Sequence, residues 1–163
     1  MNSNTGKLGK TGLLVESGQG VWPPGVSTAG TITRQNLTPT GGEVIIATAQ
    51  TFTVKDMGWA VYIPANNELR IITAVLADDT FEVYPAFATA PAADSFELVR
   101  ADGTMAREIG IANNGGATAI VGTALTAPQS LPDGIAVNFK ADGGVTPVCW
   151  DASGTTLTVT ILQ

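Results

Sequence analysis

Thr155-Thr156-Leu157-Thr158-Val159-Thr160-Ile161-Leu162 (TTLTVTIL) alternates threonine with an aliphatic residue from Thr156 to Ile161. Successive side chains of a β-strand point to opposite faces, so Leu157, Val159 and Ile161 share one face and Thr156, Thr158 and Thr160 the other. A strand written this way is antiparallel, with one face on a core and one toward water. No window of helical length elsewhere carries an apolar stripe at a spacing of 3.6, so helix is expected to be minimal.

Working outward from that strand, the same grammar repeats in short pieces. Glu108–Ala112, Ala117–Ala124, Ile135–Lys140 and Val145–Trp150 read as strands. Between them lie Asn113-Asn114-Gly115-Gly116, Pro132-Asp133-Gly134, Asp142-Gly143-Gly144 and Asp151-Ala152-Ser153-Gly154, all turn chemistry. Further upstream, Glu43–Thr48, Thr51–Val54, Trp59–Ile63, Leu69–Leu76, Thr80–Tyr84 and Ser95–Val99 form a second series. Its pattern predicts Phe52 and Val54 on one face, and Trp59, Val61 and Ile63 on another. Asn66-Asn67 is expected to turn a hairpin, because Asn tolerates left-handed backbone better than most residues. The Ala- and Pro-rich stretch 86–94 is read as a loop.

The first forty residues differ, being rich in Gly, Ser, Thr and Pro with few apolar patches. Such a segment cannot bury enough surface to offset its ordering entropy unless it lies on something else. The expected organisation is therefore an extended N-terminal arm over 1–40, an antiparallel β-domain over 41–101, and a second small β-domain, or a continuation of the same sandwich, over 102–163. The fold class is all-β, one or two antiparallel barrels or sandwiches. Contact candidates in the arm are Leu13, Leu14 and Val15, together with Trp22 and the Pro23-Pro24 that follows it.

Composition narrows the function. Charged residues are 13% of the 163 and hydrophobic ones 44%, against about 25% charged in ordinary soluble domains. A surface of Thr, Ser, Asn, Gln, Ala and Gly costs less to desolvate than one of ions. The net charge of −6 repels phosphate backbones, so nucleic acid is not an expected partner. No apolar run reaches the length of a membrane span, and MNSNTGKLGK lacks the apolar core of a signal peptide.

Chemistry is hard to place on this chain. It has no histidine, which removes Ser-His-Asp and Cys-His nucleophiles and His-based zinc sites. Asp78, Asp79 and Glu82 are the densest acidic group, but adjacent residues on a turn diverge rather than pair. Those aspartates with Asp142 do not match an EF-hand loop. Gly9-Lys10-Thr11 lacks the opening glycine and the preceding strand of a phosphate loop. Cys149 is the single cysteine and sits in an apolar run, which predicts a buried, inert thiol. Trp22, Trp59, Trp150, Tyr62 and Tyr84 are the aromatics that could stack on a sugar. No cofactor, metal or catalytic residue is expected.

Asp56-Met57-Gly58-Trp59-Ala60-Val61-Tyr62-Ile63, Glu68-Leu69-Arg70-Ile71-Ile72-Thr73-Ala74-Val75 and Asp79-Thr80-Phe81-Glu82-Val83 together resemble a pattern of small β-modules in tailed-bacteriophage virion proteins. The low-charge pattern from Ile109-Gly110-Ile111-Ala112-Asn113 through Pro147-Val148 to Asp151-Ala152-Ser153-Gly154 is similar to modules of capsid decoration and tail accessory proteins. The resemblance covers about 60 residues in its first part and implies a structural role at the capsid surface: a non-enzymatic decoration (cement) protein bridging neighbouring capsid subunits. Its partners would be the major capsid protein or other virion proteins, and further copies of itself in a homo-oligomer, a trimer being the form that suits three-fold positions. A head-to-tail or tail accessory protein shares every feature quoted. A carbohydrate-binding or host-attachment module is the alternative from another class.

Overall fold

The alternation at 157–162 becomes a strand whose burial alternates in step, with Leu157, Val159 and Ile161 inside. The computed structural model describes residues 11–47, 51–99, 106–140 and 147–162. In chain order its strands are β1 (Thr11–Glu16), β2 (Gln19–Trp22), β3 (Val26–Thr38), β4 (Gly41–Ile46), β5 (Ala60–Ile63), β6 (Glu68–Ala77), β7 (Thr80–Tyr84) and β8 (Asp94–Val99), then β9 (Glu108–Asn113), β10 (Ala119–Thr123), β11 (Thr126–Leu131), β12 (Ala136–Lys140), β13 (Val148–Asp151) and β14 (Leu157–Leu162). Helix is confined, among the described residues, to two 3-10 turns at Val54–Asp56 and Pro64–Asn66.

These strands form three layers. An outer sheet runs β1-β14-β9-β12 and a middle sheet β11-β10-β13-β2, and β3 to β8 close into a barrel in the order β3-β4-β7-β6-β5-β8. All the strand pairings are antiparallel. The outer and middle sheets share one core, in which Ile109, Ile111, Leu157, Val159 and Ile161 meet Val121, Leu131, Val148 and Trp150. Two half-apolar sheets bury their faces in this way because neither is stable with its apolar side in water. The barrel has its own core, centred on Phe52, Phe81 and Phe96, with the Phe52 and Phe81 rings 4.6 Å apart.

The third cluster joins the barrel to the middle sheet. Ala60, Tyr62, Leu69 and Val99 on the outside of the barrel pack against Ala124 and Cys149, with Val21 and Ile71 alongside. This explains why β5, Ala-Val-Tyr-Ile, is buried at all four positions: Val61 and Ile63 point into the barrel while Ala60 and Tyr62 point at the sandwich. Several polar groups at this seam are paired, although the buried Nδ2 of Asn67 has no hydrogen-bond partner among the described residues. The Tyr62 hydroxyl donates to Asn67 Oδ1 at 3.2 Å, Gln19 Nε2 donates to the Pro64 carbonyl at 2.9 Å, and the Cys149 thiol lies 3.2 Å from the Asn67 carbonyl.

Two sequence expectations need correction here. Residues 11–38 are not an arm: β1 closes one edge of the outer sheet, β2 closes one edge of the middle sheet, and β3 is a barrel stave. The first ten residues lie outside those described. The barrel over 26–99 is thus inserted between the second and third strands of a sandwich built from 11–22 and 108–162. The physical reason is that β1 and β2 borrow their burial from strands far along the chain, so neither needs a long apolar run. Val54 also leaves the face of Phe52. Asp56 accepts the backbone N–H of Thr53, whose hydroxyl accepts the N–H of Lys55. This capped turn swings Val54 to 74% exposure while Phe52 stays buried.

The expected hairpin at Asn66-Asn67 is present. Asn67 takes a left-handed conformation, φ 50° and ψ 41°, and its N–H returns to the Pro64 carbonyl.

Candidate docking face

The middle sheet is covered on both sides, by the outer sheet and by the barrel, but the far side of the outer sheet has no neighbour among the described residues. Strand register places its residues in rows. Leu13, Thr160, Gly110 and Asn138 lie side by side in one row, and Val15, Thr158, Ala112 and Ala136 in the next. Leu162, Glu108 and Lys140 share the row at one end.

Side-chain size varies across these rows. On the edge strand β1, Leu13 and Val15 stand 65% and 69% exposed. Two strands away, β9 presents Gly110 and Ala112, with Glu108 at its end. The floor is therefore low along β9, with Thr158 and Thr160 on one side and Ala136 and Asn138 on the other. It forms an open concavity of about 340 Å³, closed at one end by Glu108 and Leu162. A Cβ on Gly110 would come within 2.8 Å of Asn138 Oδ1, so the glycine lets the Asn138 amide lean across the trough. Among the described residues the one ion pair on this face is at its end, Lys140 Nζ to Glu108 Oε2 at 3.4 Å. An exposed pair of this kind contributes little to stability.

The six contact residues expected from the sequence divide by strand alternation. Leu13 and Val15 lie on this free face. Leu14, between them, turns inward and packs on the sandwich core, as does Trp22 from β2. Pro23 and the exposed Pro24 carry the chain from the sandwich into the barrel. The sequence did not flag Gly110, Ala112, Ala136, Asn138, Thr158 or Thr160 as a group. The signal available was the outward set of β14, but its neighbours come from β9 and β12, whose pairing no local pattern specifies.

The other candidates separate too. Among the aromatics, Tyr62 and Trp150 are buried and Trp22 and Trp59 are half-buried, which leaves Tyr84, 57% exposed, as the one open ring. Asp78 and Asp79 sit on the exposed β6–β7 turn, and Asp142 lies outside the described residues. Among the described residues, no three Cys, Asp or Glu side chains gather as a metal site would require, and no helix is long and apolar enough to cross a membrane. Cys149 is fully buried against the barrel, and burial pushes its thiol up to about 12. Desolvation likewise raises the Tyr62 phenol well above its ordinary range. Asp151 is held below the usual carboxylate range, first by hydrogen bonds from Ser153 and then by Gln19. None of these groups is arranged with a base, a nucleophile and an oxyanion donor around a common point.

No protein-family model matches this chain, and no curated protein and no solved structure shows significant similarity to it.

Proposed function

We propose that this chain is a non-catalytic structural protein of a virion, a capsid decoration (cement) protein that ties neighbouring capsid subunits together, with the free side of its outer sheet as a contact face. The observation that carries the reading is that face itself. It is a shallow ridge and trough built from Leu, Val, Thr, Ala, Gly and Asn, and among the described residues its one charged pair lies at the rim. Covering such a face desolvates almost no ions, so a modest contact there loses little to that cost. Copies held on a common shell add avidity to each such contact. The resemblance of residues 56–83 and 109–154 to phage virion modules, and the scarcity of charge throughout, point the same way. A glycan-binding role has less support, since stacking platforms use several open rings and here only Tyr84 is open.

The test is to add the purified chain to heads that lack it and to measure co-sedimentation and the temperature at which the heads rupture. Binding with a raised rupture temperature supports the proposal. It also requires that Leu13→Glu/Val15→Glu, checked for an unchanged melting temperature, binds more weakly. Heads that neither bind the chain nor gain stability would overturn it. Labelled copies found on tails would reassign it to a tail accessory protein.

A further inference from the structure

The free face is self-complementary, and we infer that its occupant is a second copy of this chain, docked face to face about a two-fold axis that runs along β14. This rests on the reading of that face as a contact surface and names what covers it. The ridge (Leu13, Val15) and the trough (Gly110, Ala112) lie on opposite sides of β14, each one strand away, because β14 pairs with β1 on one side and β9 on the other. Rotating one copy by 180° about an axis parallel to β14 and just above it exchanges the two sides. The ridge of each copy then stands over the trough of the other.

The register agrees row by row. Leu13 and Gly110 are both aligned with Thr160, and Val15 and Ala112 are both aligned with Thr158. Since the axis runs along the strands, positions along them are preserved, so Leu13 comes over Gly110 of the second copy and the Asn138 amide that leans across it, and Val15 over its Ala112. The threonines of the two β14 strands meet on the axis, hydroxyl to hydroxyl. Stacked sheets lie about 10 Å apart and cross at about 30°, and at one strand spacing that rotation shifts a residue by only about 2.4 Å, well under the roughly 6.8 Å between rows. Charges do not clash: Glu108 falls opposite the register position of Thr11, and Lys140, on β12, falls beyond the far edge of the overlap.

The size of the patch sets the strength of the contact. Three overlapping strands of about five residues cover roughly 240 Å² in projection. A stable complex commonly buries about 800 Å² on each partner. The pair is therefore weak and concentration-dependent in free solution, and becomes durable where copies are already held side by side on one surface.

The register makes a sharp prediction for cross-linking. Leu13→Cys protein mixed with Gly110→Cys protein should form a disulfide-linked heterodimer under copper-catalysed air oxidation, in a yield that rises with concentration. Neither variant alone should dimerise comparably, because like positions lie on opposite sides of the axis. Val15→Cys mixed with Ala112→Cys is the second pair, should either glycine or leucine variant fold poorly. Exposed Leu76→Cys mixed with Leu125→Cys serves as the background. Heterodimer no greater than that background in both pairs, or homodimers dominating either mixture, would overturn the two-fold contact. The failures are distinguishable. Loss of head binding by Leu13→Glu/Val15→Glu without any cross-linking leaves the contact face with a different occupant, whereas cross-linking without head binding leaves the paired face and removes the virion role.

Discussion

The Arg70 guanidinium donates to the Glu68 carboxylate at 2.9 Å, with both side chains only 2% exposed. The two residues project from one face of β6, two positions apart. Glu68 also accepts the N–H groups of Ala88 and Thr89, and Arg70 donates to the carbonyls of Leu69, Ala86 and Thr126 while lying 5.5 Å from the centre of the Phe87 ring. The pair thus fastens the 85–93 loop to the barrel and reaches β11 of the sandwich.

Removing one partner of this pair should cost more than removing both charges. Arg70→Met leaves a buried carboxylate with only two backbone donors, and a loss of about 3–5 kcal/mol is expected from cases of this kind. In Glu68→Gln/Arg70→Met the amide oxygen can still accept from Ala88 or Thr89 with no buried charge to compensate. Urea denaturation of the two single variants and the double variant checks this. The double variant should be more stable than Arg70→Met alone; the reverse order would show that the ion pair is not what limits the cost.

Gly20 illustrates a constraint of a different kind. It sits beside Trp150 in the β2–β13 pairing, and a Cβ there would lie 2.5 Å from the indole ring. Gly20→Ala should therefore destabilise by about 1–3 kcal/mol, as overpacking does, and shift tryptophan emission. Gly18→Ala, two residues earlier, meets nothing within 4 Å and should leave both unchanged.

Cys149 should be silent to thiol reagents until the protein unfolds. Its thiol is raised from an ordinary 9.0 to about 12, mainly by burial. The unfolded chain therefore ionises first as pH rises. The contribution of this group to stability is intact below pH 9 and is lost between 9 and about 12, at about 1.4 kcal/mol per pH unit. Cys149→Ala should flatten that alkaline slope in thermal melts, and a labelling rate at pH 8 equal to that of a free thiol would contradict the assignment.

The contrast between elements read correctly and elements missed has a physical origin. Strands β5, β7 and β14 carry their own signal, because each buries at least one full face and so must alternate or run apolar. Among them β14 is the clearest, with Leu157, Val159 and Ile161 all inward. β11, Thr-Ala-Pro-Gln-Ser-Leu, gives no such signal: it is an edge strand in which only Leu131 is buried, and an edge tolerates Pro128. β1 and β2 were hidden for a related reason. Leu14 and Trp22 are their inward anchors, and the strands that cover them arrive more than a hundred residues later. The candidate docking face was legible only as threonines on β14, since a trough across β9, β14 and β12 is a property of pairing rather than of any one segment.

Asn113, at the end of β9, is fully buried and binds four groups at once. Its Nδ2 donates to the carbonyls of Ala117 and Leu131 at 2.6 and 2.8 Å, and its Oδ1 accepts from Thr155 Oγ1 at 2.7 Å and from the Gly115 N–H at 3.3 Å. It therefore locks three turns of the sandwich to one another. Asn113→Ala strands those groups and should cost about 2–3 kcal/mol. Asn113→Asp should cost more at pH 7, because it sets a carboxylate oxygen against two carbonyl oxygens in the core. Protonation relieves that contact, so the native-state pKa of the new aspartate must lie above its unfolded value. Its unfavourable effect is then least below about pH 4 and grows as pH rises through the native-state pKa. Thermal melts of Asn113→Asp relative to the unsubstituted protein should converge toward acid pH; a gap that stays constant from pH 7 down to 4 would show that the amide donors are not what holds this corner together.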